Sequence, residues 1–181
     1  DLSQAIYDKD NIYGIVKSTS INHGGKTNGF YVPNPTAQSI LIRESIKKAG
    51  VDPKKISYVE AHGTGTSLGD PIEINGLIKG LNIEGKIQNC AIGSVKSNIG
   101  HLEAAAGISG ITKVLLQMKY KKLVPSLHAQ IENKHIDFKK SPFYIQKELE
   151  EWKGTETGEL ISSVSSFGAG GSNGHVILQD Y

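Results

Sequence analysis

Two histidines in glycine-rich segments, 39 positions apart, are the residues of this chain best suited to chemistry. His62 opens the sequence HGTGT, and His101 closes the sequence KSNIGH. A neutral imidazole carries one hydrogen-bond donor and one acceptor, which suits it to polarising a carbonyl group. Glycine beside the ring lets a substrate approach the backbone closely. The pattern predicts a reaction centre that lacks one member, because no nucleophile accompanies the two histidines.

The elements around the histidines indicate how they are positioned. Residues 56–61 and 90–93 read as strands, and each strand runs into one of the histidine segments and then into a helix signal. Rigid elements of this kind can aim both side chains into one cleft. Alternating strands and helices predict an α/β layered fold, and the last two strands, 161–167 and 175–178, predict an antiparallel hairpin.

Three helices are expected from periodicity and capping residues. The first spans residues 35–49 and is capped by Gly50, and the second has Asp70 as its N-cap, Glu73 at N3 and its end by Gly80. The third, from about residue 103 to 119, is apolar on almost every side, so we expect it to be buried, with Ile108 on its packed face. We also predict a strand at residues 12–16 and a mobile surface loop at residues 148–159.

Composition excludes several classes of protein. The chain has 181 residues, 38% of them apolar and 21% charged, which is ordinary for one globular domain. A net charge of +2 gives no basis for nucleic-acid binding, and no apolar run approaches the length needed to cross a membrane. The single cysteine, Cys90, excludes an internal disulfide and fits a reducing, cytoplasmic environment. No His, Cys and carboxylate set has zinc-like spacing, so we expect no metal.

The residues beside the histidines each allow a functional and a structural interpretation. His62 could only stabilise its own loop, but the alternate hydroxyls of Thr64 and Thr66 suit an amide-rich or phosphorylated ligand arm. His101 precedes a helix N-terminus, whose dipole disfavours the imidazolium form. Lys96 could set the charge or tautomer of a neighbouring histidine, or could be an exposed solubilising lysine. We favour the functional interpretation of Lys96, because its loop is otherwise uncharged.

Two further segments also have two interpretations. The glycine cluster around Ala169, in the sequence FGAGGSN, is either a tight hairpin turn or a source of backbone N–H groups for a developing oxyanion. Cys90 lies inside an apolar strand without a basic neighbour, so we interpret it as a buried, inert thiol. The other four histidines have no motif context and are expected to be structural or surface residues: His23, His128, His135 and His175.

Three segments, in this order, resemble the β-ketoacyl synthase (ketosynthase) domains of type I modular polyketide synthases. They are VEAHGTGT at residues 59–66, GSVKSNIGHLEAAAG at residues 93–107 and SSFGAGGSN at residues 165–173, and LVPSLH at residues 123–128 supports them. The resemblance implies the thiolase fold, in which two similar α/β halves pack together. It implies that residues 1–30 end the N-terminal half and that residues 31–181 form the C-terminal half of a partial ketosynthase domain.

The resemblance also implies roles for individual residues. His62 and His101 match the two catalytic histidines of the family, and Lys96 matches its supporting lysine. Thr64 and Thr66 match positions that contact the phosphopantetheine arm. The backbone N–H of Ala169 matches the oxyanion donor of this half, and alanine there, where some relatives carry a gating phenylalanine, implies a differently gated pocket.

The implied activity is a decarboxylative Claisen condensation between an acyl chain on a cysteine and a malonyl unit on an acyl carrier protein. The cysteine belongs to the N-terminal half, so the chain alone is expected to be inactive. The implied partners are that half, the acyl carrier protein and a second copy in a homodimer, and no cofactor belongs to this half beyond the carrier's phosphopantetheine. The alternative is a non-condensing domain that only passes acyl chains along. A thiolase acting on coenzyme A thioesters ranks third, because HGTGT and KSNIGH do not resemble thiolase motifs.

Overall fold

The computed structural model describes residues 1–27, 29, 32–83 and 87–181. The elements in chain order are α1 (Leu2–Asp8), β1 (Ile15–His23), α2 (Pro35–Ala49), β2 (Ile56–Glu60), α3 (Gly69–Leu81), β3 (Cys90–Gly93), α4 (Lys96–Ile99), α5 (Ala106–Tyr120), β4 (Lys122–Leu123), β5 (Phe143–Ile145), β6 (Glu150–Glu151), β7 (Ile161–Phe167) and β8 (Ser172–Gln179). Short 3₁₀ turns occur at Pro53–Lys55, Glu103–Ala105 and Phe138–Lys140.

A six-stranded mixed sheet organises the chain, in the order β1-β8-β7-β2-β3-β5. β7, β2, β3 and β5 are parallel, whereas β7, β8 and β1 are antiparallel neighbours, so the predicted final hairpin is confirmed. Because β7, β2 and β3 are parallel, their carboxyl ends meet at one edge of the sheet. The segments that follow them are therefore brought together, as the alternation of strands and helices predicted.

Helices cover both faces of the sheet. On one face, α2 and α3 close a core that includes Leu77, Ile42 and Val59. On the other face, α5 packs on β2 and β7 and closes a second core around Tyr58 and Val114. β2 and β3 are buried almost throughout, as expected for parallel strands covered on two sides.

The second predicted helix begins differently from the expectation. α3 starts at Gly69 rather than after an Asp70 cap, and it ends at Leu81. The Asp70 carboxylate accepts a hydrogen bond from the N–H of Gly65, and Thr66 Oγ1 accepts from the N–H of Gly69. The capping prediction for Asp70 was wrong because Asp70, in the first turn, and Glu73, three residues later, both bind the preceding loop instead. The first helix agrees with its predicted bounds and cap.

The long apolar helix is buried on one face only. α5 starts at Ala106, after a 3₁₀ turn, and its buried residues are Ala106, Gly110, Lys113, Val114, Gln117 and Met118. Ile108, which was predicted to lie on the packed face, is 61% exposed. The expectation was wrong because apolar residues on this helix serve two different faces, which periodicity alone does not separate.

Two polar segments were also misjudged. β1 runs to His23 rather than ending at residue 16, since its polar alternation suits an edge strand paired with β8. Residues 148–159 are not a free loop, because Trp152 is only 4% exposed and its Nε1 donates to Ser57 Oγ at 2.8 Å. One buried aromatic residue outweighs the polar composition around it.

In the ranges described, no helix is both long and apolar enough to cross a membrane. The predicted division between residues 30 and 31 falls on residues outside the described ranges, and the division stays a prediction.

An apolar surface beside α5, here called the α5 outer face, consists of Ile99, Leu102, Ile108, Leu116 and Tyr120. All five side chains are exposed, and they line a groove of about 540 Å³. Exposed apolar patches larger than roughly a few hundred Å² mark interaction sites in soluble proteins. The α5 outer face therefore has the character of a surface that another polypeptide covers.

We predict that this chain alone self-associates or precipitates through the α5 outer face as its concentration rises. Sedimentation velocity over a concentration series measures this. A double variant, Ile108→Lys with Leu116→Lys, should sediment as a monomer at the same concentrations, because both positions are exposed and tolerate charge. A wild-type monomer that binds no apolar dye would contradict the assignment of this face.

Candidate active site

The sheet edge brings the two motif histidines into contact. His62 follows β2 directly, and His101 follows β3 through α4. Their ring centroids are 5.3 Å apart and the rings are nearly perpendicular, with an interplanar angle of 82°. Phe167, at the end of β7, lies 5.6 Å from His62 between ring centroids. The contributions of three parallel strands therefore converge on one point, as the sequence predicted for the two histidines.

Backbone donors define the tautomer of each neutral ring. The N–H of Phe167 donates to Nδ1 of His62 at 3.3 Å, and the N–H of Glu103 donates to Nδ1 of His101 at 2.9 Å. Because each Nδ1 accepts a hydrogen bond, the proton of each neutral imidazole belongs on Nε2. Glu103 reaches this position with a left-handed φ of 47°, which is costly for a residue with a side chain. Both histidines thus present an Nε2–H donor.

The environment of His62 keeps its ring neutral. Its pKa is lowered to about 4, first by burial and then by the positive charge of Lys96 and by His101. Burial also lowers the pKa of Lys96, although the carboxylates of Glu73 and Glu60 oppose that shift. Lys96 opens the short helix α4, rather than lying in an open loop.

A buried carboxylate holds the backbone of the His62 segment. Glu73, on α3, accepts from the N–H of His62 at 2.7 Å with one oxygen and from the N–H of Gly63 at 2.8 Å with the other. Burial raises the pKa of Glu73 to about 7, while these two donors and Lys96 favour its ionised form. Sequence analysis had assigned Glu73 only to a helix cap, so its contact with the histidine segment was missed.

One cavity of about 830 Å³ contains most of the predicted site residues. His62, His101, Thr64, Thr66 and Ala169 all line it. The two threonine hydroxyls are 3.4 Å apart on the exposed turn after His62. Lys96 does not line this cavity but an adjacent one of about 670 Å³, and Thr64 and Glu73 line both. The structure therefore brings five of the six predicted residues to one cavity, with Lys96 behind it.

The glycine turn between β7 and β8 forms part of the cavity wall. Gly168 donates its N–H to the carbonyl of Ser172 at 2.7 Å, which closes the turn. Within the part of the chain that the structure describes, the N–H of Ala169 has no acceptor. The ring of His23 supports the turn, since its Nδ1 accepts from Gly25 and its Nε2 lies 2.9 Å from the carbonyl oxygen of Gly170. This agrees with the expectation that His23 is a structural or surface residue.

A second carboxylate, Glu60, lies directly before the His62 segment at the end of β2. It is buried with Lys113 of α5 and Tyr58 of β2 in a hydrogen-bonded cluster. Sequence reasoning missed this cluster too. The signal available was a glutamate inside an apolar strand and a lysine inside an apolar helix.

Cys90 and metal binding can be judged from the structure. Cys90 is fully buried in β3, and burial raises the pKa of its thiol to about 12, so the thiolate is suppressed. Over residues 1–27, 29, 32–83 and 87–181, no group of three or more His, Cys, Asp and Glu side chains is arranged to hold a metal ion.

Comparison with known proteins shows the family of this chain. The sequence model described as "Beta-ketoacyl synthase, C-terminal domain" matches residues 13–130. The chain is 59% identical to polyketide synthase PksL of Bacillus subtilis (strain 168) over 189 residues and 56% identical to polyketide synthase ThaG of Burkholderia thailandensis over 182 residues. This chain belongs to the beta-ketoacyl synthase family. It corresponds to the C-terminal half of a ketosynthase domain of polyketide synthases.

Solved structures show the same fold. The ketosynthase from module 6 of the bacillaene synthase of Bacillus subtilis 168 matches 100% of this chain with a TM-score of 0.96 and 46% identity. The oxazolomycin ketosynthase domain of Streptomyces albus JA3453 matches 99% with a TM-score of 0.93 and 48% identity. The α/β fold is therefore thiolase-like, as predicted. The chain spans 32% of each of these two structures, 4% of PksL and 3% of ThaG.

Proposed function

We propose that this chain supplies the decarboxylation half of a condensing ketosynthase. The observation that carries the proposal is that His62 and His101 meet at 5.3 Å, and each accepts a backbone N–H at Nδ1 and so presents an Nε2–H donor. Two such donors suit the thioester oxygen of a malonyl group, on which negative charge develops as carbon dioxide leaves. The relatives are polyketide synthases, whose ketosynthases are enzymes.

Decarboxylation would precede carbon–carbon bond formation in the proposed reaction. The bond between the malonyl carboxylate carbon and the α-carbon breaks, carbon dioxide departs, and the electron pair forms an enolate held by the two Nε2–H groups. The α-carbon then attacks the carbonyl carbon of an acyl chain bound as a thioester to a cysteine of the N-terminal half. A carbon–carbon bond forms, and the cysteine thiolate leaves. Acyltransfer and condensation thus belong to one sequence of steps.

Other residues around the cavity have proposed supporting roles. The N–H of Ala169, free of acceptors among the described residues, would stabilise the oxyanion formed when the acyl thioester is attacked. Thr64 and Thr66 would bind the phosphopantetheine arm of the acyl carrier protein, since both hydroxyls are exposed at the cavity. Lys96, with its positive charge beside the buried His62, would keep that ring neutral.

The proposed partners follow from the surface and from the relatives. The α5 outer face would be covered by the N-terminal half, because the chain spans 32% of the solved ketosynthases that it matches. An acyl carrier protein would deliver the malonyl unit, and the complete domain would form a homodimer. The cytoplasm would be its compartment.

The first prediction concerns the two histidines in a complete ketosynthase containing this chain. His62→Ala and His101→Ala should each lower the condensation rate by about 100-fold or more, as expected when a preorganised oxyanion donor is removed. Acyl loading of the cysteine should be largely retained. Mass spectrometry of the loaded domain and of the extended product measures both steps.

Lys48→Ala is the matched control, because Lys48 is exposed on α2 and lines neither the cavity of about 830 Å³ nor the adjacent one of about 670 Å³. It should leave loading and condensation unchanged. Normal extension by either motif variant would contradict the proposed function. A wild-type domain that passes acyl chains to the carrier without extension would instead establish the non-condensing alternative.

The second prediction is that the chain alone is not acylated. Its single cysteine, Cys90, is fully buried and its thiol pKa is raised to about 12, so little thiolate is available at neutral pH. Incubation with an acyl thioester followed by intact mass measurement should give no adduct, whereas the denatured chain should react with iodoacetamide at Cys90. Rapid, specific acylation of the folded chain at Cys90 would overturn this assignment.

A further inference from the structure

A charged pair is buried directly beneath the two histidine segments. Glu60 is 1% exposed and Lys113 is 8% exposed, and Nζ of Lys113 lies 2.9 Å from Oε2 of Glu60. The other ion pairs of the described residues lie at the surface. Neither Glu60 nor Lys113 lines the cavity that contains His62 and His101. The pair is therefore close to the site but outside it.

Each polar atom of Glu60 is used. Oε2 accepts from the Tyr58 hydroxyl at 2.8 Å as well as from Lys113, and Lys113 also donates to the Tyr58 hydroxyl oxygen at 2.7 Å. Oε1 accepts from the backbone N–H of Val95 at 2.5 Å. Val95 immediately precedes α4, the helix that leads to His101. Glu60 lies two residues before His62, so one side chain connects the two histidine segments.

Two glycines make room for this cluster. A Cβ atom at Gly93 would lie 2.7 Å from the Tyr58 hydroxyl, and one at Gly110 would lie 3.1 Å from Cγ of Glu60. Contacts of that length would displace the buried side chains. Three elements therefore take part in the cluster. β2 and α5 supply its side chains, and glycines in β3 and α5 leave the space that these side chains occupy.

Stability alone is a weak explanation of a buried ion pair. Removing two charges from water costs about as much as their attraction returns, and an apolar replacement of the whole pair is often neutral or stabilising. A fully hydrogen-bonded pair does provide a fixed geometry, since none of its members can move without leaving a buried charge unpaired. What this geometry fixes here is the distance between the end of β2 and the start of α4.

We propose that Glu60, Lys113 and Tyr58 form a positioning cluster that sets the relative placement of His62 and His101. Glu60 acts through the hydrogen bond that its carboxylate accepts from the N–H of Val95. Lys113 and Tyr58 hold Glu60 in place. This inference rests on the proposed condensing function for its kinetic consequence, but its structural consequence is independent of that function.

Two double variants of a complete ketosynthase separate positioning from stability. The first is Glu60→Gln with Lys113→Met, which removes both charges and keeps an amide oxygen to accept from Val95. The second is Glu60→Leu with Lys113→Met, which removes both charges and the acceptor. Both avoid an unpaired buried charge, so both should fold, and thermal melting confirms this. Lys55→Met is the control, because it breaks an exposed ion pair, Lys55 with Glu159, at the other end of β2.

The kcat for condensation should be about 100-fold lower in the leucine variant than in the glutamine variant, since a misplacement of about 1 Å can cost that much. KM for the malonyl carrier should stay within about twofold, because substrate binding groups are untouched. Acyl loading and the Lys55→Met control should match the wild type. Crystal structures of both variants should show a changed His62–His101 ring separation in the leucine variant and the wild-type 5.3 Å in the glutamine variant.

Equal kcat and equal ring separation in the two folded variants would overturn the positioning role and leave the cluster purely structural. A wild-type domain that does not condense would instead refute the proposed function. In that case the ring separation still decides the inference. A leucine variant with wild-type ring separation refutes it, and a shifted ring pair in the leucine variant alone supports it.

Discussion

The ends of β2 and β3, which lead to the two histidine segments, depend on two buried carboxylates that approach from opposite faces of the sheet. Glu73, from the α3 side, accepts the N–H groups of His62 and Gly63. Glu60, on the α5 side, accepts the N–H of Val95. A strand that ends inside a protein leaves backbone donors without sheet partners, and each unpaired donor costs about 1–3 kcal/mol. The two carboxylates satisfy these donors and, because a buried charge cannot move freely, make the strand ends rigid.

The electrostatic character of the site follows from this rigid frame. The carboxylates bind backbone donors, so they neutralise the partial positive charge of the strand ends without reaching the rings. His62, with burial around it and Lys96 and His101 nearby, has its pKa lowered to about 4. An imidazolium at His62 is thus excluded at neutral pH, and this ring would hold the proposed enolate as a neutral Nε2–H donor rather than through an ion pair. Neutral donors can stabilise developing charge without binding the malonyl carboxylate that must leave.

Part of this arrangement was predictable from the sequence. Alternating strand and helix signals place the segments after β2 and β3 at one sheet edge, so the meeting of His62 and His101 followed from local patterns. The glycine turn after β7 was predicted from its own glycine cluster. The role of Glu73 was not, because a helix cap and a strand-end acceptor have the same sequence pattern until the fold is known. The Glu60–Lys113 contact joins residues 53 positions apart, and no local pattern encodes it. Trp152 anchors a polar segment in the same non-local way.

The central claim, that His62 is a neutral Nε2–H donor, is tested most directly by ¹⁵N NMR. A complete ketosynthase labelled with ¹⁵N-histidine, with His62 assigned from the His62→Ala spectrum, can be titrated from pH 8 downwards. A lowered pKa means that protonation requires more acid than the ordinary value of 6.5, so His62 should stay a neutral Nε2–H ring at pH 6 and titrate near 4. A positively charged His62 at pH 6, or a neutral ring protonated on Nδ1, would contradict the account.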